Sequence, residues 1–222
     1  MKKFINAGFL LGLIFLIAQN AWALNIEKDD FITMSIKGSS PYYAPYQIIN
    51  NDNTGTATWE KYFSFCLESQ ITFRPGATYK VDSVEDYATS GGNDNMGPYN
   101  DDPNWVYGDK KDYLSDQTKW LYATWLSDSA AFNANKVQSA IWWLEDEAKG
   151  VKADWDFFAG KYDATLLAGW DIKAVNLVDI NGIDIQSQLV GSYNPVPEPA
   201  TMILFGIGLL GVAGMGRKKI NK

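Results

Sequence analysis

The 222-residue sequence contains no histidine, and that absence closes more chemistry than any residue present opens. Without an imidazole, no Ser-His-Asp triad, Cys-His protease, HExxH zinc site or three-histidine metal centre can be built. Cysteine occurs once, at Cys66, so structural zinc sites are excluded as well. Basic residues are scarce in the body of the chain. Six of the 19 (Lys2, Lys3, Arg217, Lys218, Lys219 and Lys222) and one acid, Glu198, lie near the ends. The stretch between them keeps 13 basic against 25 acidic residues, a formal charge of −12. Such a surface argues against nucleic acid or anionic lipid as a partner, since both need a basic patch. Carboxylate-pair glycosidase chemistry and hard-cation binding by oxygen ligands stay open.

The two ends carry signals of their own. Lys2 and Lys3 precede an apolar run from Phe9 to Ala18, and Ala21 and Ala23 offer the small residues a signal peptidase reads. This is a secretory signal over 1–23, with cleavage between Ala23 and Leu24. At the other end, Pro197, Glu198 and Pro199 are followed by an apolar, Gly-rich run, Thr201–Met215, and then by Arg217, Lys218 and Lys219. The prolines hold the chain extended before a single membrane-spanning helix. The basic tail keeps its cytoplasmic end inside. Triplet, helix and tail in this order resemble the PEP-CTERM sorting signal of Gram-negative, exopolysaccharide-producing bacteria. The resemblance implies that 195–222 is a sorting signal recognised by an exosortase, with transient membrane anchoring through its helix and delivery to the cell surface or extracellular matrix. Exopolysaccharide is then a further expected partner.

Between the ends, residues 24–194 form one domain by length, long enough for a sizeable core. "NIEKDDFITMSI" and "ATYKVDSV" alternate as half-buried strands do, and "TWEKYFSFCLES" reads as an aromatic strand entering the core. "SSPYYAPY", "NNDNTG" and "RPGA" punctuate the gaps, and Ser90–Lys111 is a long loop. Its segment Asn93–Asp102 has oxygen ligands but lacks the spacing of an EF-hand. Ser115 is positioned to cap a helix through Leu126. A second helix follows, with Val137, Ile141, Leu144 and Ala148 on one face and Gly150 as its terminator. On that helix Glu145, Asp146 and Glu147 are expected to form a solvated acidic face. "IKAVNLVDING" and "IDIQSQLVG" read as a hairpin about an Asn-Gly turn. The fold class expected is α+β: a strand-rich domain with inserted helices, Cys66 on a strand and Gln138 on a helix.

Phe65-Cys66-Leu67, together with Val137, Gln138, Ile141 and Trp142, resembles the Cys–Gln thioester domains of bacterial surface adhesins. Those domains pair a cysteine flanked by apolar residues with a later glutamine followed by Ile and often Trp. The resemblance implies that Cys66 and Gln138, 72 residues apart, are joined in an internal thioester. The thiol attacks the carboxamide and expels ammonia, which requires close approach and donors for the tetrahedral oxyanion. The bond must also be shielded from water, a role expected of Phe65, Trp142 and Trp143, with Tyr62 offering a hydroxyl donor. Once formed, the thioester is a stored electrophile for an amine-bearing surface or matrix protein, giving covalent adhesion. With no histidine to activate hydroxyls, amines are the expected acceptors. It is a single-use reagent and not a turnover enzyme, and it needs neither metal nor cofactor. Two other readings of Cys66 stay open: an inert buried thiol in a noncovalent structural or glycan-binding matrix protein, and an intermolecular disulfide.

Overall fold

The computed structural model describes residues 24–51, 61–89 and 111–194, together with Ile207. The proposed cleavage residue Ala23, the sorting triplet Pro197, Glu198 and Pro199, the C-terminal helix apart from Ile207, and loop 93–102 lie outside the described residues. Among the described residues, no helix is long and apolar enough to cross a membrane.

The strands are β1 (Phe31–Ile36), β2 (Tyr46–Asn50), β3 (Lys61–Cys66), β4 (Thr78–Glu85), β5 (Tyr87–Ala88), β6 (Asp112–Tyr113), β7 (Trp170–Val178) and β8 (Asp184–Tyr193). Six of them close a barrel in the order β1-β2-β3-β8-β7-β4, and β5 and β6 form a separate ribbon. Every neighbouring pair in the barrel is antiparallel. Alternation along the strands sends Ile32, Met34, Ile48 and Val81 into the core, all fully buried. Strand β2 was not legible, because the Pro- and Tyr-rich run before it reads as a turn.

Between β6 and β7 the chain inserts its helices: α1 (Asp116–Ser127), α2 (Ala134–Leu144), α3 (Lys152–Ala159) and a short 3-10 turn at Ala164–Leu167. Ser115 caps α1 as expected, its side chain accepting from Thr118 N. Asn133 caps α2, accepting from the amides of Asn135 and Lys136. The hairpin turn between β7 and β8 also matches its sequence. Asp179 Oδ1 accepts from the amides of Asn181 and Ile183 at 2.8 and 2.9 Å, and Gly182 takes the left-handed conformation at φ 78°.

The second helix corrects its sequence reading. It ends at Leu144, not at Gly150, and Asp146 adopts φ 55°. Ala148 is exposed, off the helix. Val137, Ile141 and Leu144 do share the buried face. Because the chain turns here, the acidic triplet is not a solvated helical face either: Glu145 and Glu147 are 2% and 6% exposed. Glu145 accepts from Thr118 Oγ1 and from Ser115 Oγ, tying the end of α2 to the start of α1. Glu147 Oε2 accepts from Ser69 N at 2.8 Å and from Ser69 Oγ at 2.7 Å. Hydrogen bonds offset the cost of burying these carboxyl groups.

The seam between β3 and β8 positions everything that follows. Only Phe65–Leu189 and Cys66–Gln188 pair across it. Where the strands part, the Tyr122 hydroxyl of α1 bridges them, donating to Phe63 O at 2.7 Å and accepting from Gly191 N at 2.9 Å. Gly191 makes room for that ring: a Cβ there would lie 3.0 Å from Tyr122 Cε1 and 2.7 Å from Ile172 Cγ1. Burial on both faces explains why Ser64, Phe65 and Cys66 are all buried in β3. One face fills the barrel and the other lies under α1.

Candidate functional site

Cys66 is the last residue of β3 and is 1% exposed. In the β2–β3 register Tyr46 stands opposite Ser64, so Cys66 would face Ala44, before β2 has begun. Its backbone therefore lacks a strand partner on that side. Gln138 of α2 supplies one. Cys66 N donates to Gln138 Oε1 at 2.8 Å, and Gln138 Nε2 donates to Cys66 O at 2.7 Å. The carboxamide behaves as a one-residue extension of the sheet, fully buried. The fold thus brings together the cysteine and glutamine that the sequence paired.

The sulfur points elsewhere. Cys66 Sγ donates to Gln186 Oε1 at 3.0 Å and accepts from Gln188 Nε2 at 3.5 Å. The Tyr46 hydroxyl is a further hydrogen-bond neighbour, held in place by donating to Tyr42 O. Gln188 in turn accepts from Ser64 Oγ at 3.0 Å, and Gln186 Nε2 donates to Glu68 O. The interior of the barrel here is a polar pocket of amides and hydroxyls around one thiol.

Burial pushes the Cys66 thiol up to about 12, against smaller opposing effects of Gln188 and Tyr46. The thiol is accordingly neutral at ordinary pH, and its nucleophilicity must come from a group that takes its proton. Glu68, two residues on, is also buried, and burial raises its carboxyl to about 8. Its Oε2 accepts from Ser187 N at 2.6 Å, while Oε1 has no hydrogen-bond partner among the described residues. Burial likewise raises Glu145 to about 7 and holds Asp112 well above the usual carboxylate range, with Glu145 adding to it. Among the described residues, no three His, Cys, Asp or Glu side chains gather as a metal site.

The flanking aromatics take separate places. Phe65 is fully buried, but strand alternation turns it away from Cys66. It packs edge-to-face on Tyr122 and Trp125, 6.2 and 5.1 Å between ring centroids. Trp142 is 4% exposed and meets Tyr42 edge-on at 5.0 Å, while Trp143 is partly buried against the core. The Tyr62 hydroxyl accepts from Asn25 N at 3.0 Å. The tyrosine whose hydroxyl neighbours the sulfur is Tyr46. Gln186 and Gln188 were missed as well. Their spacing of two on a strand, which puts both on one face, was the available signal.

Residues 195–218 match the PEP-CTERM protein-sorting motif. The match gives the chain a sorting signal of the kind an exosortase recognises, and with it export toward the cell surface of a Gram-negative bacterium. No curated protein and no solved structure matches the chain.

Proposed function

We propose that Cys66 and Gln138 join in an internal thioester, through which this exported protein attaches covalently to an amine-bearing partner at the surface or in the matrix. The observation that carries this reading is the Gln138 carboxamide held against the Cys66 backbone at 2.8 and 2.7 Å. The carboxamide already lies beside the cysteine that would attack it, and burial of both residues keeps water from a bond that would otherwise hydrolyse. Closure requires the sulfur to leave Gln186 by rotation about χ1 and add to the Gln138 carbonyl carbon. The C–S bond forms, the C–N bond breaks, and the amide nitrogen leaves as ammonia with the thiol proton. Gln188 and Tyr46 line the sulfur as hydrogen-bonding groups, and Glu68 is the nearby carboxyl suited to proton transfer.

The thioester is spent in one reaction, so the protein acts as a reagent and not as an enzyme. In a second reading the Cys66–Gln186 hydrogen bond at 3.0 Å marks an inert core thiol, and the domain serves the matrix noncovalently. A labelled diamine separates the two. Incorporation into the Gln138 peptide, lost in Cys66→Ala, supports the thioester. Absence of label, with an intact thiol recovered on unfolding, supports the second reading.

A further inference from the structure

We propose that the acceptor reaches this site through the cleft beside Trp142, and that the cleft takes a lysine side chain of a partner protein; the proposal rests on the thioester reading above. The cleft encloses about 350 Å³, and Tyr46 and Gln186 line it. Both are neighbours of the Cys66 sulfur. Two larger cavities, lined in part by Trp170 and Tyr193 and by Lys80 and Asp179, include no residue that touches Cys66 or Gln138. Among the described cavities, only this cleft is lined by residues that neighbour the sulfur.

Its walls are aromatic. Tyr42 and Trp142 pack edge-to-face, and Tyr43 stands 48% exposed on backbone at φ 60°, a conformation uncommon for a bulky residue. The segment that presents these tyrosines is pinned to the helix that carries Gln138. Asn135 Nδ2 donates to Ser39 O at 3.0 Å and to Ser40 O at 3.2 Å. Gly38 allows the segment to close on itself, since a Cβ there would fall 1.7 Å from Ala44 O.

The cleft already has a cation at its mouth. Lys149 lines it, with its ammonium 5.8 Å from the centre of the Trp142 ring, within the range of a cation–π contact. That ring face therefore accepts an ammonium on an unbranched apolar stem, and a second lysine entering from a partner would take Lys149's place. The acid surplus of the domain, 25 acidic against 13 basic residues, draws cations toward the surface. Inside, the bound ammonium gives a proton to water, and the free amine adds to the Gln138 carbonyl carbon. The new C–N bond replaces the C–S bond, and the second amine proton ends on the Cys66 sulfur.

The test compares rates of adduct formation at Gln138 for methylamine and for Nα-acetyl-lysine methylamide, followed by mass on the isolated chain. Tyr43→Asn removes the ring while suiting the left-handed backbone. It should lower the lysine-analogue to methylamine rate ratio about two- to fivefold, the size of an exposed cation–π contact. Lys149→Ala should raise that ratio. An unchanged ratio in both variants overturns the cleft and leaves the thioester standing. Faster incorporation of glycerol than of the lysine analogue overturns the occupant. An ammonia-short chain inert to both amines, with Lys149 cross-linked to Gln138, shows that the cleft serves the chain's own lysine and overturns the proposal. A chain of full mass that forms no adduct overturns the thioester and the cleft together.

Discussion

Gln138 completes the sheet where β2 has not yet begun, and its removal tests that structural role apart from any chemistry. The measurement belongs in a Cys66→Ala background, where no thioester forms and only the cap is at stake. Gln138→Ala then strips partners from one N–H and one C=O of residue 66, both held at under 3 Å in a fully buried position. Each orphaned buried group costs about 1–3 kcal/mol, so the double variant should lose about 2–6 kcal/mol. Water entering the vacated space sets the lower end. With a urea slope of about 2 kcal/mol/M for a domain of this size, the unfolding midpoint should fall by about 1–3 M relative to Cys66→Ala. A fall of less than about 0.3 M, well below that range, would refute the idea that the carboxamide stands in for a strand.

Three further outcomes follow from the buried acids and the thiol. Because burial raises Glu68 to about 8 and Glu145 to about 7, the folded state holds protons that the unfolded chain releases near pH 4.5. Stability is therefore greatest near pH 4.5 and declines as pH rises toward 8; urea midpoints should be higher at pH 5 than at pH 8.5, and Glu68→Gln should flatten the difference. Thr118→Val keeps the shape of the side chain but removes a donor to Glu145, which should cost about 1–3 kcal/mol. Since Thr118 lowers the Glu145 pKa, that loss should be larger at pH 8 than at pH 5. In Gln138→Glu, where ammonia cannot be expelled, the thiol should resist iodoacetamide until the chain is unfolded, because Cys66 is buried and its thiol is pushed up to about 12.

Much of the local structure was legible because it rests on neighbours in sequence. Ser115 three residues before Thr118 is a cap wherever the fold puts it, and Asn181-Gly182 turns a hairpin by backbone preference alone. The meeting of Cys66 and Gln138 was legible only as a pairing of two motifs, one on a strand and one on a helix. What was not legible depends on partners far along the chain. Glu145 reads as surface until Ser115 and Thr118 are placed beside it, and Glu147 until Ser69 is. The barrel's closure depends on a β3–β8 seam of two residue pairs, with Tyr122 bridging its open end. Neither feature leaves a periodic trace. Gln186 and Gln188 look like solvent-facing residues of an edge strand, and only barrel closure turns them onto the sulfur.

The most direct test of the central claim is the intact mass of the isolated chain, its termini mapped, before and after methylamine. The thioester account predicts a native mass short by one ammonia, converted by methylamine to a single adduct on Gln138, and the full mass in Cys66→Ala. A wild-type chain at full mass, forming no adduct and releasing one thiol on unfolding, would contradict it, once fresh preparations had excluded hydrolysis to Glu at position 138.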